Sequence, residues 1–121
     1  MGRIIEISPE QKIVNMINAR VDFTLDLNDN TGRYVVGKKE LFKGINPSLN
    51  ANTWEILEEA LQSSADTLGG WENKEGIYYV DLGNKYTDLA LALYIADKRG
   101  EEAIYDSLED KVIWTKEALG Y

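Results

Sequence analysis

The sequence predicts an α+β fold: a small mixed or antiparallel sheet of about five strands, covered by two main helices and a short N-terminal one. Three features carry that prediction. Residues 21–27 alternate Val21, Phe23, Leu25 and Leu27 with Asp22, Thr24 and Asp26, the period of a strand with one wet face. Residues 77–82 form a β-branched and aromatic run between Gly76 and Gly83, as a buried strand would. Two capped segments near 53–67 and 88–99 have helical spacing. Strand, helix, strand, helix and strand alternate from 33 to 106, so a partly parallel α/β sheet is the alternative architecture. In that case the unit over 77–106 would be right-handed.

Taken in order, Ser8-Pro9-Glu10-Gln11 reads as a helix start, with Ser at the N-cap, Pro at the first helical position and Gln three residues after the cap. Ile13, Val14 and Ile17 then place a helix over 9–18. The strand at 21–27 meets turn formers at Asp29-Asn30-Thr31-Gly32, and a second strand at 33–37 makes a β-hairpin the expected arrangement. A loop at Asn46-Pro47-Ser48 ends near Asn50 or Asn52, and Asn52 with Glu55 completes a capping pattern. Trp54, Leu57, Leu61, Ala65 and Leu68 then define an apolar stripe that Gly69-Gly70 terminates. The expectation is that Trp54 is a core residue. Thr87 caps the next helix, whose residues 89–96 are apolar nearly all round and predict burial on more than one side. Short strands at 103–106 and 112–114 form a further hairpin, and 115–121 shows no pattern and is expected to fray.

These 121 residues suit a single domain. Cysteine and histidine are both absent, which removes disulfides, thiolate nucleophiles, zinc ribbons and imidazole proton transfer. No cofactor and no metal site is expected. The apparent calcium loop at Asp26-x-Asn28-x-Asn30 places its glycine one residue late and has Gly37 where a bidentate Glu belongs. No apolar run is long enough for a membrane span, and Glu6 interrupts both a signal-peptide and a myristoylation reading of the N-terminus. A cytoplasmic protein, monomeric or a small homo-oligomer, is expected.

The net charge of −8 is unevenly placed. Residues 1–50 hold six acids and seven bases; residues 51–121 hold fifteen acids and six bases. Such a charge repels nucleic acid and suits a basic protein partner. The candidate contact residues are Glu55, Glu58 and Glu59 on one helix face, with Asp66, Trp71, Glu72, Glu75, Glu102, Asp106, Glu109 and Asp110. Trp71 follows Gly-Gly and precedes a polar run, as an interface anchor would. No catalytic residue is singled out; Asp81 and Asp106, each ending a strand, are the least weak carboxylate pair for an enzyme.

Gly69-Gly70-Trp71, Ile77-Tyr78-Tyr79-Val80-Asp81, Asp88-Leu89 with Ala92-Leu93, and Ala103-Ile104-Tyr105-Asp106 resemble small hypothetical proteins of bacteriophages, prophages and plasmids. The pattern of that group is GGW, YYxD, a helix and AIYD. Gly32-Arg33-Tyr34-Val35-Val36 matches its upstream strand, so the resemblance covers residues 21–114. It implies a mobile-element accessory protein of the anti-defence kind. Several anti-CRISPR and antirestriction proteins are acidic binders, some of which imitate DNA charge. A non-enzymatic inhibitor that binds a host defence protein is therefore the leading expectation. A carboxylate-only enzyme and a virion or housekeeping interaction protein are the alternatives.

Overall fold

The computed structural model describes residues 7–47 and 52–121. The readings of Met1–Glu6, and Asn50 as an alternative cap, lie outside these residues. Among them the elements run α1 (Pro9–Asn18), β1 (Phe23–Asp26), β2 (Tyr34–Gly44), α2 (Thr53–Gln62), β3 (Thr67–Glu72), β4 (Tyr78–Tyr86), α3 (Leu89–Arg99), β5 (Ala103–Asp106), β6 (Lys111–Trp114) and α4 (Thr115–Leu119). The fold is α+β. Its six strands form one curled sheet in the order β1-β3-β4-β2-β5-β6, with every neighbouring pair antiparallel.

Several elements form for the reasons their sequences give. The Ser8 hydroxyl accepts from the Gln11 N–H, and Asn52 accepts from the N–H groups of Trp54 and Glu55. Asp88, not Thr87, caps α3 by accepting from Ala90 N–H, and left-handed Gly100 ends it. The β5–β6 hairpin pairs Ile104 with Ile113.

Three expectations about the path of the chain and its core are overturned. First, β1 and β2 do not form a hairpin, because β3 and β4 lie between them. The turn formers are used differently: the Asn28 and Asn30 amides both donate to the Asp66 carboxylate, at 2.7 and 3.1 Å, and Lys85 N–H donates to it at 2.8 Å. The connection thus wraps the start of β3 and delivers β2 to the far side of β4. Second, the helix from Thr53 stops at Gln62. The Ser63 hydroxyl donates to the Ala60 carbonyl and accepts from Ala65 N–H, replacing the next helical bonds. Residues 67–72 become a strand, so the sheet has six strands where five were expected. Gly70 is no helix stop; a Cβ there would overlap the Tyr78 hydroxyl and the Phe23 ring. Third, Trp54 is 48% exposed, because the buried face of α2 is Thr53, Ile56, Leu57 and Ala60.

The long helices all cover one face of the sheet. Ile13, Val14 and Ile17 of α1 and Ile56, Leu57 and Ala60 of α2 pack against Tyr78, Val80 and Leu82. Ala92, Leu93 and Ala96 of α3 pack against Tyr34, Val36 and Ile104, with Tyr86 beside them. Residues 78, 80, 82 and 86 share one parity along β4, so both cores lie on the same side. α3 is buried on one side, not two: Leu91 and Tyr94 are exposed, and the Lys98 ammonium lies 5.4 Å over the Tyr94 ring. Residues 115–119, which were expected to fray, form α4, closed by left-handed Gly120.

Candidate functional site

Among the described residues, no helix covers the opposite face of the sheet. Its curl makes an open trough of about 980 Å³ that runs from Asp22 and Thr24 beside β1 to Val112 and Trp114 of β6. Strand alternation decides which residues reach it: Thr67, Gly69 and Trp71 of β3; Tyr79, Asp81 and Gly83 of β4; Val35, Gly37 and Glu40 of β2; Tyr105 of β5.

Its floor is low because two rows across the strands are small. Gly37, Gly83 and Thr67 are neighbours in one row, and Glu40, Asp81 and Gly69 in the next. A Cβ on Gly37 would stand 2.7 Å from the Glu101 carboxylate, so the missing side chain is what lets Glu101 lie over the sheet. Gly100, in the left-handed conformation, reverses the chain after α3, and the Glu101 N–H bonds back to the Ala96 carbonyl at 2.8 Å. Gly69 is open above; an added Cβ would meet only the Phe23 carbonyl oxygen, at 3.6 Å.

One wall is aromatic. Trp71 and Tyr79 are cross-strand neighbours whose rings stack with centroids 4.4 Å apart, and Lys43 Nζ lies 5.7 Å over Tyr79. The Trp71 indole N–H donates to Asp81 Oδ2 at 2.9 Å. Tyr105, Val112 and Trp114 line the other end, and Tyr105 donates its hydroxyl proton to Asp110.

The electrostatics are one-sided. Asp22, Glu40, Asp81, Glu101, Glu102 and Asp110 line the trough, against Lys38 and Lys39. Both lysines are engaged elsewhere, Lys38 with the Ser64 hydroxyl and Lys39 with Glu59 at 2.7 Å. Burial pushes the Asp81 carboxyl up to about 6; the Trp71 hydrogen bond works against this, and the charges of Glu40 and Glu101 add to it. Burial also raises Glu101; nearby Arg99 opposes the shift, and Glu40 and Glu102 reinforce it. Neither Glu40, Asp81 nor Glu101 has an ion-pair partner within 4 Å among the described residues.

The sequence-derived candidates divide among several places. Trp71, Glu102 and Asp110 are in the trough. Glu55, Glu58 and Glu59 lie on the exposed side of α2, in the helical layer across the sheet. Glu72 pairs with Arg20, and Glu75 sits in the turn that Asn73 organises. Asp66 is half-buried and Asp106 fully buried. Partial burial pushes Asp66 up, but donors from Asn28, Lys85, Asn84 and Asn30 outweigh it and hold the carboxyl below its ordinary value. Asp106 is 1% exposed; its two oxygens accept from Arg33 Nε and Nη2, both at 2.8 Å, and Glu109 stands 3.8 Å from the same guanidinium. Asp81 and Asp106 cannot act as a pair, because they lie on opposite faces of the sheet.

Glu101 was expected beside Glu102 on a negative face and the tyrosines only collectively as contacts, whereas Asp22 and Glu40 were not foreseen as site residues. The strand parity of Tyr79 with Asp81 was readable, but the placement of Glu40 depends on register shifts in β2 and that of Glu101 on the Gly37 gap. None of the described helices is long and apolar enough to cross a membrane. The chain matches no family model, no curated protein and no solved structure.

Proposed function

We propose that this protein is a non-enzymatic binding protein whose helix-free trough engages a basic surface of a partner protein. The observation that carries the reading is the excess of negative charge there: six carboxylates line a concave aromatic face against Lys38 and Lys39, and Lys39 is already paired with Glu59. A cationic partner would relieve the mutual repulsion of Asp81, Glu40 and Glu101, and the same charge would repel nucleic acid. The sequence resemblance supplies the setting: a bacterial cytosol, a mobile element, and a host defence protein whose nucleic-acid groove presents Lys and Arg.

Affinity capture from a bacterial lysate, with wild type and Asp81→Asn compared at low and raised salt, tests this. A basic protein retained by wild type, lost at raised salt and depleted with the variant is the expected result. Capture indifferent to both changes would overturn the reading.

One observation favours a second reading, a carboxylate-only enzyme. A carboxyl held near 6 is suited to general acid catalysis, and Glu40, its cross-strand neighbour, is a candidate for a second acid. Turnover of aryl glycosides that disappears in Asp81→Asn would support it; no turnover would remove it.

A further inference from the structure

We propose that this protein forms a two-fold symmetric dimer in which the free edge of β2 pairs antiparallel with the same edge of a second copy. Glu40 of each chain then faces Lys43 of the other. The inference is independent of what the trough binds.

β2 is paired unequally on its two sides. β4 accompanies it from Tyr34 to Gly44, whereas β5, its neighbour on the other side, pairs only with Tyr34 and Val35. Beyond Gly37, no described strand lies along that side. Arg33 and Gly37 turn their carbonyls towards it, where they accept from the Ser107 N–H and the Arg99 guanidinium. Alternation carried through the two register shifts of β2 turns the backbone groups of Glu40 and Lys43 the same way, with Leu41 and Phe42 both set opposite Val80.

This spacing selects the occupant. A regular strand presents its edge groups every two residues and falls out of step between Glu40 and Lys43. An antiparallel copy of β2 has the same spacing and stays in step, with the two-fold axis between Leu41 and Phe42. Half-buried Leu41 is covered there. Charge agrees with this register. Glu40 and Lys43 both stand on the trough side, level with Asp81 and Tyr79, and both are exposed. Neither has an ion-pair partner within 4 Å among the described residues. The dimer supplies two opposite-charge cross-strand pairs, and a slip of one residue sets Glu40 opposite Phe42 or Gly44 and loses both. The strand of the second copy ends at its Gly44, opposite Lys39, and stops short of the Glu101 carboxylate over Gly37. Lys38, Lys39 and Lys43 along the edge also disfavour a basic strand as its occupant.

Sedimentation velocity at low salt, over a wide range of concentration, tests this. Wild type should form a dimer whose fraction grows with concentration, and the amides of Glu40 and Lys43 should exchange more slowly as it forms. Glu40→Lys and Lys43→Glu should each weaken the dimer by about ten-fold or more, because each sets like charges opposite one another. An equimolar mixture of these two variants should restore it, and so should the chain carrying both changes. A chain monomeric at every concentration, its edge left free for a strand of another protein, would overturn the inference. So would a dimer indifferent to both reversals, which would pair through β1, β6 or the exposed side of α3. Folded variants that dimerise no better mixed than apart would overturn it as well.

Discussion

Asp81, inside β4, and Asp106, at the end of β5, are the same side chain, and their surroundings drive them in opposite directions. Asp81 is held up at about 6 by burial, against 3.8 for a free aspartate, with Glu40 and Glu101 adding to the effect. Its charged form is therefore disfavoured by folding. The stability it offers when protonated is complete below about 4 and is lost as the pH rises through 6. Asp81→Asn should raise stability at pH 7.5 by about 1–2 kcal/mol, allowing for solvent screening of a partly exposed group. Thermal melts of variant and wild type should converge as the pH falls to about 4. A variant less stable than wild type at pH 7.5 would show that the carboxylate is compensated. Asp106 is held down to about 2 by the Arg33 hydrogen bonds, with burial opposing them and the Glu109 and Leu108 N–H groups assisting. Its stabilisation is present above about 4 and is lost as the pH falls towards 2. Asp106→Asn should therefore melt below wild type at pH 7, and the gap should close between about pH 4 and 2. No sequence pattern separates these two residues. Whether a carboxylate is a strut or an exposed charge depends on the face it occupies and on whether a distant arginine reaches it.

At the scale of elements, three of the helix boundaries were legible and the end of α2 was not. Ser8, Asn52 and Gly100 act where the sequence places them, because a cap is a local bond between neighbours. The end of α2 was misjudged, because Leu61, Ala65 and Leu68 continue a helical period by coincidence. Leu68 is a fully buried strand residue, and Leu61 is exposed. Gly69-Gly70 looks like a terminator in one dimension and is a tight crossing in three. The hairpin expectation failed for a similar reason: Asn28 and Asn30 do form turns, but an acid 36 or more residues later decides where the chain goes. The shifted face of α2 has a measurable consequence. Leu57 is 1% exposed, so Leu57→Ala should cost about 2–5 kcal/mol. Trp54→Ala should cost less than about 1 kcal/mol, the range of exposed substitutions. Urea unfolding of both variants checks the pair, and comparable losses would return Trp54 to the core.

Over the whole molecule, the sequence revealed the class and the sign of the charge but not their geometry. Composition located the acidic excess after residue 50, and that excess proves to serve two faces separated by the sheet. The Glu55, Glu58 and Glu59 set is exposed on α2, and Glu59 is already paired with Lys39. The trough set surrounds Asp81 and includes Glu40, from the near-neutral first part of the chain. Charges on a convex helix in water are screened within about 8 Å at physiological salt, whereas carboxylates in a concave face focus their field. Reversing Glu40 and Glu101 to Lys should thus slow association with a basic partner by about ten-fold or more at low salt, and the loss should shrink as salt is raised. Reversing Glu55, Glu58 and Glu59 changes the net charge by more, so a partner steered by net charge alone would respond to that set at least as strongly. A weaker effect of the α2 set, measured by association kinetics at two salt concentrations, places the contact in the trough. An equal or stronger effect places it on the helical side, and the trough would lose its claim.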